Sequence, residues 1–115
     1  MPRDDATLLD IARAARRVLE FKQGLDKTAF LNDPKTQSAI LHQLLILGES
    51  VKRLSDEFRD QHPEMPWRLM AGMRDKLIHE YDDVDFDEVW SAVEKDIPHL
   101  IQWLEPLLPS EKNKK

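Results

Sequence analysis

The sequence predicts an all-α protein, folded as an up-and-down bundle of four to five main helices. Apolar residues recur at three- and four-residue steps over long stretches, which is the period of an amphipathic helix. Glycine occurs only 3 times in 115 residues while 34% of residues are charged, a composition typical of a helical globule. This length suits one hydrophobic core. We therefore predict a single domain over residues 1–109 and a frayed polar tail at residues 110–115.

The first helix is predicted to run from Asp5 to about Lys22. Asp4 or Asp5 would cap its first amides, and Gly24 would end it. The apolar positions of this helix are Leu8, Leu9, Ile11, Ala12, Ala15, Val18 and Leu19. Its opposite face is basic and consists of Arg13, Arg16, Arg17 and Lys22. That face is either a solvated surface or an edge that meets RNA or an acidic partner.

The longest apolar stripe follows a strong helix start. Residues 25–32 predict one helical turn or a packed loop, and Asp33 then precedes Pro34, which is the preferred order of N-cap and first helical residue. The stripe consists of Ile40, Leu44, Leu47, Val51, Leu54 and Phe58, and a second set, Leu41, Leu45 and Gly48, widens it. That width predicts contact with more than one helix. Gly48 predicts close approach by another helix, Glu49 beside it an ordinary ion pair, and Ser55 the cap of a final turn.

The third long helix is predicted from about Pro66 to Tyr81, after the proline-rich connection at residues 63–66. Gly72 again suggests a close helix contact. Methionines 70 and 73 are interpreted as core residues.

The last helix is predicted to start near Phe86, because Asp85 and Glu88 have the spacing of a capping box. Pro98 lies within its apolar run and should kink or restart it, with Asp96 available as a new cap.

The charge and composition exclude several classes of function. A net charge of -5 argues against promiscuous binding of nucleic acid, so an RNA-binding protein would have to concentrate its cations locally. The candidates for such a cluster are Arg68, Arg74, Lys76, Lys52 and Arg53. Cysteine is absent, which fits a reducing compartment, and no apolar run is long enough for a membrane span. We expect a cytoplasmic protein without a cofactor or metal.

The most informative stretch is RDKLIHEY, residues 74–81. It combines an arginine, a histidine and a tyrosine as Arg74-x4-His79-x-Tyr81. A fixed cation and a group that titrates near neutral pH suit chemistry on a phosphate ester, with His79 as general acid or base and Arg74 stabilising the charge that develops. The 2′-hydroxyl of RNA could serve as the nucleophile. The alternative is that a histidine near a helix C-terminus only interacts with the helix dipole. Histidines 42, 62 and 99 are interpreted as surface or packing residues.

Helix geometry separates the two proposed catalytic groups. Five residues at about 100° each place His79 roughly 140° from Arg74, whereas Tyr81 would share the face of Arg74. Either the helix unwinds near His79, or a second subunit contributes its own copy of the motif. Both arrangements remain open at this point.

The chain resembles the HepT-like branch of the HEPN superfamily. The resemblance rests on GLDKTAFLND after the first helix, LGES at residues 47–50, PEMPW at residues 63–67, GMRDKLIHEYDDVD from Gly72, and VW at residues 89–90. Proteins of this branch are small, all-helical toxins encoded beside a minimal nucleotidyltransferase of the MntA type. Singly these segments are common, but their order and spacing together are specific.

The resemblance implies a HEPN-like bundle that forms a homodimer and cleaves RNA without a metal. Arg74, Asp75 and His79 match the family's catalytic arginine, the polar residue after it and the histidine. Tyr81 matches the tyrosine to which the partner nucleotidyltransferase adds AMP, silencing the toxin. Lys76 and Arg68 are further candidates for binding RNA. The alternative function is a non-catalytic helical adaptor that binds a nucleotidyltransferase.

Overall fold

The computed structural model describes the backbone of residues 2–109 and the side chains of residues 4–80 and 82–109. It contains seven α-helices in this range: α1 (Pro2–Lys22), α2 (Lys27–Leu31), α3 (Pro34–Lys52), α4 (Asp56–Gln61), α5 (Trp67–His79), α6 (Phe86–Ser91) and α7 (Ile97–Leu104). Two 3₁₀ turns, Tyr81–Asp83 and Glu105–Leu107, and one π-helical turn, Ala92–Asp96, complete the described elements. The prediction of an all-α fold is confirmed. The predicted tail at residues 110–115 lies outside the described residues.

Helix α3 is the centre of the bundle. It packs against α1 on one side and α5 on another, and α7 packs against α1. The stripe residues Ile40, Leu44, Leu47 and Val51 are buried, as are the inward positions of α1 and α7, and they form one continuous core. The helix ends at Lys52, so the last two residues of the predicted stripe lie beyond it, Leu54 in the connection and Phe58 on α4, where it is partly buried. The prediction that the wide stripe of α3 contacts more than one helix is confirmed. None of the described helices is both long and apolar enough to cross a membrane.

Three helices begin at the residues that the sequence predicted. The side chain of Asp33 accepts a hydrogen bond from the backbone N–H of Thr36 and caps α3. Ser55 caps α4 through the N–H of Phe58, and Asp85 caps α6. Gly24 has a φ of 82°, which explains the glycine that follows α1, since this conformation favours a residue without a Cβ.

The prediction that Asp4 or Asp5 caps α1 is wrong, because α1 already begins at Pro2. Asp4 is buried instead, and its carboxylate accepts hydrogen bonds from the N–H and the hydroxyl of Ser55, at 3.0 and 2.7 Å. This contact fixes the start of α4 to the first turn of α1. A helical residue near an N-terminus can therefore act on a distant segment rather than on its own helix.

The C-terminal helix is continuous through Pro98 but changes its hydrogen-bond pattern there. Proline lacks an N–H and its ring clashes with the carbonyl four residues earlier, and the π-helical turn directly precedes it. The N–H of Ile97 donates to the carbonyl of Ala92 across this wider turn. The prediction that Asp96 caps a restarted helix is wrong, because its side chain makes no capping hydrogen bond.

Candidate active site on helices α3 and α5

Helix α5 is held against α3 by its apolar side and by one glycine. Trp67 is buried at its start, where its indole N–H donates to the carbonyl of His62 at 2.9 Å, and Leu77 is buried near its end. At Gly48 of α3, a Cβ atom would clash with the Cβ of Arg74 and come within 3.1 Å of the Met70 carbonyl oxygen. The prediction of a close helix contact at Gly48 is confirmed. This contact determines the position of the Arg74 Cβ, from which the rest of the side chain extends.

Gly72 does not have the same role within the chain. No atom lies within 4 Å of a Cβ built at this position, and the residue is exposed. The prediction of a close contact at Gly72 is therefore wrong for the isolated subunit. Methionines 70 and 73 are partly buried against the core, as predicted.

Gly48→Ala is expected to lower the free energy of unfolding by up to about 2 kcal/mol. Overpacking costs about 1–3 kcal/mol, and the higher helix propensity of alanine offsets roughly 1 kcal/mol of it. The Cβ added at position 48 would meet the Cβ of Arg74, and the Arg74 Cβ moves only when the backbone of α5 moves. Urea denaturation checks the change. Ser38→Ala, at an exposed position of the same helix α3, is the control and is expected to unfold at an equal or higher urea concentration, whereas equal stability of Gly48→Ala and the wild type would contradict the contact.

Arg74 lies in a network of two carboxylates and a second cation. Its Nε lies 2.6 Å from Glu49 Oε1, and its Nη1 lies 2.8 Å from Asp75 Oδ1. The same Asp75 oxygen accepts a hydrogen bond from Lys52 Nζ at 3.1 Å. One carboxylate oxygen thus holds the cations of α3 and α5 within about 6 Å of each other. The predicted ion pair of Glu49 is confirmed, and its partner is Arg74.

This network fixes the charge states of its members. The hydrogen bond to Asp75 raises the pKa of Arg74, and the nearby Glu49 adds to this effect, so that the guanidinium stays charged. The hydrogen bonds from Arg74 and then from Lys52 lower the pKa of Asp75 below its ordinary value of 3.8. With a side-chain exposure of 27%, Arg74 is half-buried but still reaches solvent. It can present its remaining N–H groups to a phosphate.

Asp75→Asn is expected to lower the free energy of unfolding at pH 6 but not at strongly acidic pH. A lowered pKa in the folded state means that the unfolded chain binds more protons, so the stabilisation is present above pH 3.8 and is lost as the pH falls through the folded value. Urea titrations of both proteins at pH 6 and at about pH 2.5 measure the difference. Asp60→Asn, at an exposed residue without an ion pair to another described side chain, serves as the control. A pH-independent difference for Asp75→Asn would contradict the linkage.

His79 is the last residue of α5 and is exposed. The helix stays regular up to this residue, so the angular separation of roughly 140° from Arg74 applies. Because α5 ends at His79 and Glu80 leaves the helical conformation, both arrangements considered stay predictions. Among the described side chains none forms a hydrogen bond or ion pair with His79. The structure brings Arg74 and Asp75 together but does not bring His79 to them within one subunit.

Tyr81 lies beyond the end of α5. Glu80 leaves the helical conformation with φ −120° and ψ 33°, and Tyr81 begins the 3₁₀ turn. The prediction that α5 extends to Tyr81 is wrong, and the helical spacing from Arg74 to Tyr81 does not apply. The side chain of Tyr81 lies outside the described part of the structure.

Arg68 and Lys76 lie away from Arg74, along a groove between α5 and the C-terminal helices. Lys76 pairs with Glu88 at 3.1 Å, and this contact raises the pKa of Lys76. The acidic residues that line the same groove are Glu80, Asp83, Asp85, Glu88 and Asp96. Acidic side chains thus outnumber the two cations here. Their role in binding RNA stays a prediction.

Lys52 was predicted as a candidate for a cation cluster with Arg74, and the structure brings both to Asp75, but the sequence pattern did not show this shared carboxylate. Lys52 and Asp75 are 23 positions apart on different helices, and only the packing of α3 on α5 joins them. The one available signal was the spacing of Glu49 and Lys52, which places both on one face of α3.

In the described chain, no group of three histidine or acidic side chains is arranged to hold a metal ion. Histidines 42 and 99 are exposed, and His62 packs on Phe58, as predicted.

Comparison with known proteins gives one consistent result. A sequence profile of the family described as Ribonuclease HepT-like matches residues 11–107. The chain is 47% identical over 93 residues to a protein of Thermococcus cleftensis named Probable ribonuclease HepT, covering 81% of this chain and 84% of that one. It is 41% identical over 95 residues to a Caldanaerobacter subterraneus relative whose name begins "Putative RNase", covering 83% of this chain and 85% of that one. No solved structure matches the chain significantly. The chain therefore belongs to the HepT-like ribonuclease family of the HEPN superfamily.

Proposed function

We propose that this protein is a metal-independent endoribonuclease toxin that acts as a homodimer. Arg74 and His79 would lie in a cleft at the dimer interface, with Asp75 holding the arginine. A nucleotidyltransferase antitoxin of the MntA type would silence the enzyme by adding AMP to Tyr81. The observation that supports this proposal most is the opposite placement of the two groups on α5, with Arg74 fixed by carboxylates on one side and an exposed imidazole on the other.

The chemistry requires only groups that the chain and the RNA supply. An imidazole of His79 removes the proton of a ribose 2′-hydroxyl, and the oxygen attacks the adjacent phosphorus. The bond from phosphorus to the 5′-oxygen breaks, and that oxygen takes a proton from an imidazolium or from water. The products are a 2′,3′-cyclic phosphate and a 5′-hydroxyl. The guanidinium of Arg74 stabilises the negative charge on the phosphoryl oxygens in the transition state, where a fixed cation has its largest effect.

A second subunit would complete the site because one regular helix keeps the two groups apart. The outward face of α5 supports such an interface. Leu69, Gly72, Lys76 and His79 follow at steps of three and four residues and are all exposed. Leu69 is 75% exposed, which is unusual for a large apolar side chain, and Gly72 has open space beside it. A second copy of α5 crossing near Gly72 could approach closely and bring the two copies of His79 into one cleft.

Modification of Tyr81 would act by charge. Tyr81 follows His79 by two residues, at the start of the turn that ends α5. Each AMP adds a phosphate group with negative charge beside the place where an RNA phosphate has to bind. The modified protein would repel its substrate without any change in fold.

The proposal is tested by incubating the purified protein with several RNA classes in the presence of EDTA. Cleavage that yields 2′,3′-cyclic phosphate ends supports it. Co-expression with the nucleotidyltransferase should then raise the intact mass by whole AMP units that map to Tyr81 and should abolish cleavage, while Tyr81→Phe stays active and unmodified. A protein that binds the nucleotidyltransferase but cuts no RNA class would favour the non-catalytic adaptor instead.

A further inference from the structure

A second carboxylate repeats the arrangement seen at Asp75. Asp10 of α1 lies 3.3 Å from Arg13 Nη1 through one oxygen, and 3.5 Å from Arg53 Nη2 through the other. Arg53 is the C-cap residue that directly follows α3. Asp10 therefore bridges two cations across the contact of α1 with α3, as Asp75 bridges Lys52 and Arg74 across the contact of α3 with α5. All of these side chains except Arg74 are between 41% and 60% exposed.

The two bridges join at the end of α3. Lys52 and Arg53 are consecutive residues, and they reach opposite neighbours, Lys52 toward α5 and Arg53 toward α1. The result is a set of cations on α1, the end of α3 and α5, linked through Asp10 and Asp75, which we term the cation track: Arg13, Arg53, Lys52 and Arg74. Arg17 extends it by one turn of α1, since it lies four residues after Arg13, is exposed and forms no ion pair with a described side chain.

The track is cationic on an acidic protein. Its five cations face the carboxylates of Asp10, Asp75 and Glu49, and Glu20 lies in the same depression as Arg13 and Arg17. The cations of the track thus outnumber these four carboxylates, while the whole chain has a net charge of -5. Four of the five cations are arginines, and Lys52 is the fifth. The planar guanidinium of arginine matches the arrangement of oxygens in a phosphate. The ion pairs in the track are exposed, so that little free energy opposes their exchange for phosphate contacts.

We propose that an RNA strand crosses α1, α3 and α5 along the cation track, with Arg53 and Arg13 binding backbone phosphates beyond the one that Arg74 binds. This inference rests on the proposed ribonuclease function and adds the path of the substrate. RNA fits better than an acidic protein because the track ends at Arg74, which binds the reacting phosphate in the proposed function. The acid-rich groove on the other side of α5 offers no comparable surface.

The test compares the salt dependence of binding for the wild type and the double variant Arg13→Gln/Arg53→Gln. The probe is a fluorescent 2′-O-methyl RNA, which lacks the attacking hydroxyl and stays intact. Loss of two phosphate contacts should weaken binding and reduce the slope of log K against log salt by about 1.4, since each contact to a single strand contributes about 0.7. With cleavable RNA, KM should rise while kcat at saturation stays close to the wild-type value, because neither residue touches the reacting atoms.

Two control variants keep the interpretation specific. Arg13→Lys/Arg53→Lys preserves the charge and should retain most of the salt slope. Lys35→Gln removes one exposed cation at the opposite end of α3, about 27 Å from Arg53 along the helix, and should change nothing. Circular dichroism and thermal denaturation confirm that each variant is folded.

The outcomes separate the track from the proposed function. A wild type that cleaves no RNA overturns the function itself. A wild type that cleaves RNA, with an unchanged salt slope in Arg13→Gln/Arg53→Gln, overturns the track alone. A third outcome is that the wild type binds polyglutamate, the double variant does not, and both bind RNA equally well. This result overturns the RNA path along the cation track in favour of an acidic protein partner.

Discussion

His79→Ala is expected to reduce RNA cleavage by a factor of about 10²–10⁴, the usual contribution of a general acid or base. The imidazole has no described partner in the fold, so its removal should leave the helices and the free energy of unfolding unchanged. The initial rate of cleavage of a defined RNA in EDTA gives the effect on activity. Size-exclusion chromatography shows whether the oligomeric state is retained.

His42→Ala is the matched control for this experiment. His42 is also exposed and helical, but it lies on α3 away from the RDKLIHEY segment. Its replacement should leave cleavage at the wild-type rate. Full activity of His79→Ala would contradict the proposed mechanism, since no other described histidine lies on α5.

Arg74→Lys is expected to lower kcat by a factor of about 10²–10³, although the positive charge is retained. The guanidinium uses Nε and Nη1 for Glu49 and Asp75 and still has N–H groups for a phosphate. A lysine ammonium is a single point of charge, and contact with both carboxylates would leave it badly placed for the reacting phosphate. Steady-state kinetics should show the loss mainly in kcat. The free energy of unfolding should change little, because lysine retains the positive charge beside the partly exposed carboxylates of Glu49 and Asp75.

Arg59→Lys is the corresponding control. Arg59 forms an exposed ion pair with Asp56 on α4 at 2.7 Å, so the same substitution disturbs a similar contact outside the site. It should cleave RNA at the wild-type rate. If Arg74→Lys were as active as Arg59→Lys, the geometry of the guanidinium would have no part in catalysis.

The local features of the fold were predictable because they depend on neighbouring residues. Asp33, Ser55 and Asp85 cap the helices that follow them through bonds that span three residues or fewer. Gly24 ends α1 for an equally local reason. The sequence pattern also indicated that α3 has more than one neighbour, because the width of an apolar stripe directly reflects the number of packed faces.

The wrong predictions concern contacts between segments that are distant in sequence. Asp4 was a plausible cap by position, but its carboxylate bonds to Ser55, 51 residues away. The two helical glycines had the same appearance, yet Gly48 faces Arg74 and Gly72 faces open space. A glycine permits close approach from any direction, and only the packing decides whether a helix lies there. The end of α5 at His79 rather than Tyr81 is likewise set by the turn that follows it.

The candidate site was only partly accessible from sequence. The motif located Arg74, Asp75 and His79, and helix geometry alone showed that one helix separates the arginine from the histidine. No sequence pattern indicated that Lys52 and Arg74 bind the same carboxylate oxygen of Asp75, or that Asp10 of α1 forms an ion pair with Arg53. Ion pairs between helices depend on register and spacing, which no periodicity records.

The contact of Gly48 with Arg74 also limits how this site can vary among related proteins. The position of the guanidinium is determined by the separation of two backbones, so exchange of surrounding side chains alters it less than a single added carbon at residue 48. Loss of that glycine would affect stability and cleavage together, and a compensating change would have to move a whole helix. Under the proposed function this glycine is needed to position the arginine that binds the phosphate, although it is 26 residues away and has no chemistry of its own.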